Sequence, residues 1–144
     1  MTSALFAYGT LAIAPVLRLI VGRDLAATAA TLHDYERFTL HGQVYPGIVE
    51  APGHRVTGCL YVAVDPAAWA RLDAFEGSMY TRKPVTVMIG AGETLPAETY
   101  TLLPQYHYLL STEPWDQTTF MTRHLPSFLR GCRDFVAELA TRND

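Results

Sequence analysis

The strongest structural signal in the sequence is a nine-residue run of strict alternation, Val56-Thr57-Gly58-Cys59-Leu60-Tyr61-Val62-Ala63-Val64. Successive side chains on a β-strand point to opposite faces, so the run predicts a strand whose two surfaces differ. One surface carries Val56, Gly58, Leu60, Val62 and Val64, and the other carries Thr57, Cys59, Tyr61 and Ala63.

A short helix is predicted directly after this strand. Asp65 is a good N-cap residue, and Pro66 suits the first helical position, where its missing N–H would have no partner. The helix is expected to run to about Glu76, because Gly77 can adopt the left-handed conformation that ends a helix.

Other segments with strand-like composition lie on both sides of this strand–helix pair. They comprise residues 5–8, 27–32, 37–40, 45–50, 83–89 and 97–103, and a turn is predicted at Pro52-Gly53. A helix is predicted over Pro15–Val21 and another from Pro126, whose buried stripe would contain Phe128, Cys132, Phe135 and Leu139. These elements predict one α+β domain over residues 1–144: a mixed, mostly antiparallel sheet curled into a partial barrel, with a few packed helices.

Composition narrows the functional classes. Hydrophobic residues make up 49% of the 144 residues and charged residues 17%, which excludes intrinsic disorder. Eleven basic against fourteen acidic residues give a net charge of −3, so we expect no nucleic-acid and no membrane partner. Two cysteines, no secretory signal and no membrane-spanning run predict a cytoplasmic protein. No metal-ligand spacing occurs, and the sequence gives no indication of oligomeric state.

The first candidate functional residue is Glu76. Helical spacing places it four residues after Leu72 and seven after Trp69, on the stripe that faces the core. Apolar surroundings and the negative end of the helix dipole would both raise the pKa of its carboxyl group, which suits proton transfer near neutral pH. Alternatively, Glu76 bends outward to water or pairs with Arg82 or Lys83.

A second candidate is the segment Tyr8-Gly9-Thr10-Leu11, where the first strand enters a glycine turn before the Pro15 helix. Backbone N–H groups exposed in such a turn can bind a carboxylate or a developing oxyanion. Alone, the glycine is equally consistent with an ordinary turn.

Four segments together resemble the gamma-glutamylcyclotransferase-like family over residues 5 to about 103. They are Tyr8-Gly9-Thr10-Leu11, Tyr45-Pro46-Gly47-Ile48-Val49, Val56-Thr57-Gly58-Cys59-Leu60-Tyr61, and Leu72-Asp73-Ala74-Phe75-Glu76-Gly77 followed by Tyr80-Thr81-Arg82. Each motif is loose by itself, but the order and spacing of all four are specific. The short gamma-glutamylamine and plant avirulence-induced branches are more similar than the glutathione-specific branch.

The resemblance implies a small mixed α/β unit with a partial barrel and a cyclotransferase (lyase-type) activity. Family members convert gamma-glutamyl amines or peptides into 5-oxoproline and a released amine, so the implied partner is a small gamma-glutamyl substrate. It further implies Glu76 as the catalytic acid and base, and Tyr8, Gly9, Thr10 and Leu11 as the substrate-binding loop. The implied reaction needs no cofactor, metal, nucleotide or covalent nucleophile.

Further residues complete the predicted site, and two other functions stay open. Tyr80 and Tyr100 are predicted to line the pocket, and Arg82 either binds a substrate carboxylate or pairs with an acid. One alternative is a non-catalytic module that binds a small molecule or peptide end in the same pocket. The other is a cysteine hydrolase acting through Cys59, which would need a nearby histidine.

Overall fold

The computed structural model describes residues 3–90 and 92–142, with Arg142 described by its backbone alone. The strands of this part of the chain are β1 (Leu5–Ala7), β2 (Ala27–Thr39), β3 (Pro46–Tyr61), β4 (Tyr80–Ile89) and β5 (Glu93–Leu102). The α-helices are α1 (Ala14–Val21), α2 (Pro66–Glu76), α3 (Gln117–Arg123) and α4 (Leu125–Arg142), with 3-10 turns at Thr10–Ala12, Gly77–Met79 and Pro104–Leu109.

Within the described residues, the sheet closes into a barrel in the order β1-β3-β2-β4-β5. Its neighbouring strands pair antiparallel except at the closure, where β1 and β5 run parallel and Leu5 lies opposite Glu98. The mixed, mostly antiparallel sheet expected from the sequence is therefore confirmed. The strands form a closed barrel where the sequence predicted a partial one.

The long strands β2 and β3 correct one part of the sequence prediction. Segments 27–32 and 37–40 are one strand, and so are 46–50 and 56–61, so Pro52-Gly53 does not form the predicted turn. The register instead shifts where Asp34 and Gly53 both have positive φ, and Asp34 Oδ1 accepts a hydrogen bond from Gly53 N at 3.0 Å. The Asp34 side chain therefore holds a β-bulge at this point, and β2 and β3 stay paired on both sides of it.

The end of β3 also differs from the prediction. The strand stops at Tyr61, and Val62, expected to share a face with Leu60, is 42% exposed. Ala63 has a φ of 61°, a conformation that a continuing strand cannot contain, so regular alternation ends there.

Two hydrophobic clusters lie on opposite sides of the sheet. One fills the barrel and includes Phe6, Leu32, Ile48, Val56 and Leu60. The other lies between the barrel and the helices and includes Leu5, Leu17, Leu72, Phe120 and Cys132. Strand β1 contributes alternate residues to both clusters, as the two-residue period of a strand requires.

The predicted helices form where the sequence signals lie. Asp65 Oδ1 accepts from Ala68 N at 2.8 Å to cap α2, and Gly77 follows its last residue. With φ 75° and ψ −158°, Gly77 has a positive φ but not the left-handed helical conformation that the sequence predicted. Gly22 ends α1 in the left-handed conformation. Phe128, Cys132 and Phe135 of α4 pack into the cluster beneath the helices as predicted, whereas Leu139, the fourth residue of the predicted stripe, is only partly buried and does not belong to that cluster. The short α3 and the 3-10 turn at Pro104–Leu109 carry no comparable periodicity.

Candidate active site

The segment 8–11 follows directly after β1, and two of its carbonyl groups accept hydrogen bonds from side chains of other strands. Arg37 Nη1 donates to Tyr8 O at 2.6 Å, and the Tyr61 hydroxyl donates to Leu11 O at 2.9 Å. Thr10 then begins a 3-10 turn, and the first N–H groups of such a turn have no acceptor within it. These two hydrogen bonds hold the segment in place at the exit of β1.

Gly9 is required by close packing of this segment against β3. A Cβ atom at Gly9 would lie 2.8 Å from Pro46 Cγ and 2.9 Å from Pro46 Cδ. Since a proline ring cannot swing away, any larger residue would push the segment off the strand.

Glu76 is the last residue of α2, and it lines the same pocket as residues 8–11. The residue is only partly exposed, and burial raises the pKa of its carboxyl group to about 8. Neither predicted alternative partner is available to it. Lys83 Nζ pairs with Glu50 Oε1 at 2.9 Å, and Arg82 Nε lies 3.6 Å from Asp73 Oδ1.

Four tyrosines line the pocket around this carboxyl group: Tyr8, Tyr45, Tyr80 and Tyr100. Burial raises the pKa of every one of these phenols, and the nearby charge of Glu76 raises it further. The phenols therefore stay protonated near neutral pH and act as hydrogen-bond donors.

Three of the phenols are already oriented by hydrogen bonds. Tyr8 donates to Tyr100 O at 2.6 Å, and Tyr80 donates to Pro46 O at 2.7 Å. Tyr100 donates to Asp73 Oδ1 at 2.7 Å. These bonds tie β1, β3, α2, β4 and β5 together at the pocket, so its wall is rigid.

The pocket is small. Its volume is about 180 Å³, below the roughly 300–1,000 Å³ of sites that enclose drug-sized ligands. Aromatic and aliphatic side chains form most of the wall, and Glu76 supplies the carboxyl group. Such a pocket suits a small polar group held by a few donors next to one proton carrier.

The structure brings most of the predicted site residues together. The pocket is lined by Tyr8, Gly9, Thr10, Leu11, Glu76, Tyr80 and Tyr100. Arg82 is not among the lining residues. Its guanidinium lies over the Trp69 ring, 4.4 Å from the centroid, and Nε is 3.7 Å from Glu98 Oε1. It borders a separate groove with these residues and Asp73, which matches the acid-pairing alternative.

Sequence reasoning missed several lining residues, namely Tyr45, Pro46, Phe75, Met79 and Phe128. Tyr45 and Pro46 begin a segment that the family resemblance included, so that segment was the available signal. Phe128 lies on the apolar stripe of α4, but a stripe shows that a residue is buried and not what it packs against.

Three further findings concern the Cys59 thiol, metal binding and membrane spans. Burial raises the pKa of the Cys59 thiol, which disfavours the thiolate that a cysteine hydrolase needs. Within residues 3–90 and 92–142, no group of three or more His, Cys, Asp or Glu side chains is arranged to hold a metal ion. No helix in the described part of the chain is long and apolar enough to cross a membrane.

The described residues thus form a closed five-stranded barrel whose aromatic pocket is lined by the partly buried Glu76 together with residues 8–11. The family model for "Gamma-glutamyl cyclotransferase, AIG2-like" matches residues 5–117, and the chain belongs to that family. The match continues beyond residue 103, where the resemblance seen in the sequence ended.

Individual relatives agree with this assignment. AIG2-like protein D of Arabidopsis thaliana is 31% identical over 142 residues, covering 94% of this chain and 90% of that protein. Protein AIG2 C of the same plant is 29% identical over 132 residues, covering 91% and 79%.

Solved structures share the fold. An Arabidopsis thaliana protein solved in solution superposes with a TM-score of 0.71 and 27% identity, covering 99% of this chain and 87% of that one. A structure titled gamma-glutamyl cyclotransferase superposes with a TM-score of 0.65 and 19% identity, covering 92% and 87%.

Proposed function

We propose that this chain is a gamma-glutamyl cyclotransferase in which Glu76 acts as both general base and general acid. The observation that carries the proposal is one pocket holding the Glu76 carboxyl group, with a pKa near 8, together with the segment 8–11. Family membership supports the same activity. The substrate would be a gamma-glutamyl amide, and the products 5-oxoproline and a free amine.

The reaction closes a five-membered ring within the substrate. The α-amine attacks the δ-carbonyl carbon and forms the new C–N bond, while the carbonyl π electrons move to oxygen. The pocket mainly selects the folded conformer in which these atoms meet, because the attack is intramolecular. The small volume and rigid tyrosine wall favour that conformer over an extended one.

Proton transfer is assigned to Glu76. An ammonium group cannot attack, so the Glu76 carboxylate first takes one proton from the substrate α-ammonium, and the attacking nitrogen releases a second proton to solvent as the new C–N bond forms. The oxyanion of the tetrahedral intermediate is stabilised by amide donors of residues 8–11. As the intermediate collapses, the C–N bond to the leaving amine breaks and Glu76 delivers a proton to that nitrogen.

The direct test is an assay for 5-oxoproline with a panel of gamma-glutamyl amides, dipeptides and glutathione. Glu76→Gln keeps the shape of the side chain but cannot accept a proton, so kcat should fall by about 10²–10⁴-fold. The matched control is Glu50→Gln, because Glu50 pairs with Lys83 on the surface and does not line the pocket.

Two outcomes would contradict the proposal. Equal turnover by Glu76→Gln and wild type would remove Glu76 from the mechanism. Saturable binding of gamma-glutamyl compounds without any 5-oxoproline would instead support the non-catalytic binding module that retains the same pocket.

A further inference from the structure

A second apolar depression adjoins the candidate active site. This surface, called the α4 groove here, is lined by Val44, Phe75, His124, Ser127, Phe128, Gly131 and Cys132. Its volume is about 330 Å³, nearly twice that of the pocket.

The pocket and the α4 groove adjoin each other and share two aromatic lining residues. Phe75 and Phe128 line both, and their rings meet edge to face with centroids 6.2 Å apart. Phe75 directly precedes Glu76 on α2, so the shared wall begins beside the proton carrier. A part of the substrate that extends out of the pocket past this wall would therefore meet the apolar side chains of the α4 groove.

We propose that the α4 groove binds the leaving-amine portion of the substrate and that the preferred substrates are gamma-glutamyl amides of apolar, aromatic-bearing amines. This inference rests on the proposed cyclotransferase function. The pocket is too small to enclose much beyond the gamma-glutamyl unit, so a larger amine must extend outside it. The α4 groove supplies the adjoining surface.

The side chains of the groove favour an uncharged occupant. Among the described residues that line it, there is no Asp, Glu, Lys or Arg. Of the described lining residues only His124 can carry a positive charge, so an ammonium seated there would lose water without gaining an ionic partner, whereas a phenyl ring would pack on Phe75 and Phe128. Arg130 donates a hydrogen bond to Ser127 Oγ at 3.0 Å, but Arg130 itself does not line the groove.

Gly131 offers a way to fill the α4 groove. It lies on the exposed side of α4, and a Cβ atom built there has no heavy atom within 4 Å. In Gly131→Phe the new ring would occupy the groove without colliding with the backbone. The matched control is Ala137→Phe, which adds the same ring to an exposed position of α4 that lines neither cavity.

The experiment compares gamma-glutamyl phenethylamide with gamma-glutamyl methylamide, which is too short to reach the groove. In Gly131→Phe, the ratio of kcat/KM for phenethylamide over methylamide should fall at least about tenfold relative to wild type, mainly through KM. In Ala137→Phe the ratio should match that of wild type. Ser127→Leu narrows the same groove and should also lower this ratio relative to wild type. This second variant provides the test if Gly131→Phe does not fold.

Each contrary result has a distinct meaning. An unchanged ratio in both groove variants overturns the subsite, and a change in sedimentation with an unchanged ratio reassigns the groove to self-association. Faster turnover of gamma-glutamyl-ε-lysine than of phenethylamide by wild type overturns the apolar substrate class. If wild type releases 5-oxoproline from no substrate, the proposed function fails, and the subsite fails with it.

Discussion

Glu76 combines a position that suits catalysis with a charge that the fold disfavours. Burial raises the pKa of its carboxyl group to about 8, so most molecules carry it protonated at pH 7. A base with such a pKa is strong enough to deprotonate an ammonium group and still return a proton to a leaving amine. The single residue can therefore serve both halves of the reaction.

This property predicts the pH dependence of activity. In the proposed reaction, proton transfer starts from the Glu76 carboxylate and the substrate ammonium, and the carboxylate is scarce below the pKa of Glu76. We therefore expect kcat/KM for a gamma-glutamyl amide to rise about tenfold per pH unit from pH 6 and to bend near pH 8. Initial rates of 5-oxoproline release across pH 5.5–9.5 test this, and a profile that is flat between pH 6 and 8 would contradict it.

At the scale of elements, the site depends on how closely β1 approaches β3. Phe6 pairs with Leu60 and Ala7 with Cys59, and Gly58 lies just beyond this pairing. A Cβ atom at Gly58 would overlap the Ala7 carbonyl oxygen. The absence of a side chain at Gly58 is thus what lets β1 deliver residues 8–11 to the pocket.

Gly58→Ala should destabilise the protein by about 1–3 kcal/mol or more, because neither backbone can move without breaking strand pairing. Residual folded protein should show a raised KM, since the displaced β1 carries the binding segment with it. Chemical denaturation and steady-state kinetics measure the two effects. Thr57→Ala, an exposed neighbour on the same strand, should change stability by less than about 0.5 kcal/mol, and equal losses in both variants would refute the close-approach argument.

Elements with purely local signals could be predicted from the sequence. Asp65 and Gly77 bound α2 through a cap and a positive-φ residue, and both act within one turn of the helix. The same spacing argument assigned Glu76 to the inward stripe, and Glu76 does line the pocket. Alternation likewise predicted β4, whose Val85, Val87 and Ile89 pack in the barrel cluster.

Features that depend on distant partners could not be predicted. Pro52-Gly53 has the composition of a turn, and only the bond from Gly53 N to Asp34 shows that it is a bulge. Barrel closure pairs Leu5 with Glu98, a contact that no local period encodes. Phe128 reaches the pocket because α4 packs beside α2, where its ring meets that of Phe75.

At the scale of the whole molecule, the closed barrel and the helices enclose the pocket between two hydrophobic clusters. Elements from both ends of the chain meet there, since β1 supplies residues 8–11 and α4 supplies Phe128. The whole fold must therefore tolerate the burial of Glu76, and that burial has a consequence for stability.

The folded state binds the Glu76 proton more tightly than the unfolded chain, whose glutamates have a pKa of about 4.3. Stability should therefore fall as pH rises from about 4.5 to about 8 and level off above it, by at most ~5 kcal/mol at about 1.4 kcal/mol per pKa unit. Partial solvent access to Glu76 makes the actual loss smaller. Below this window, Asp24 and Asp116 act in the opposite direction, because hydrogen bonds from Arg18 and Thr119 lower their carboxyl pKa values.

Glu76→Gln removes the free-energy cost of burying a carboxylate at high pH, so this substitution should make the folded protein more stable while it lowers activity. We expect the variant to unfold at a higher urea concentration than wild type at pH 9 and at a similar concentration at pH 5. Denaturation midpoints at both pH values measure the difference, and Glu50→Gln controls for the loss of a surface carboxylate paired with Lys83. If the midpoints of Glu76→Gln and wild type fall in parallel between pH 5 and pH 9, the Glu76 carboxyl group is not held in a site that disfavours its charge, and its assignment as a proton carrier near neutral pH loses its physical basis.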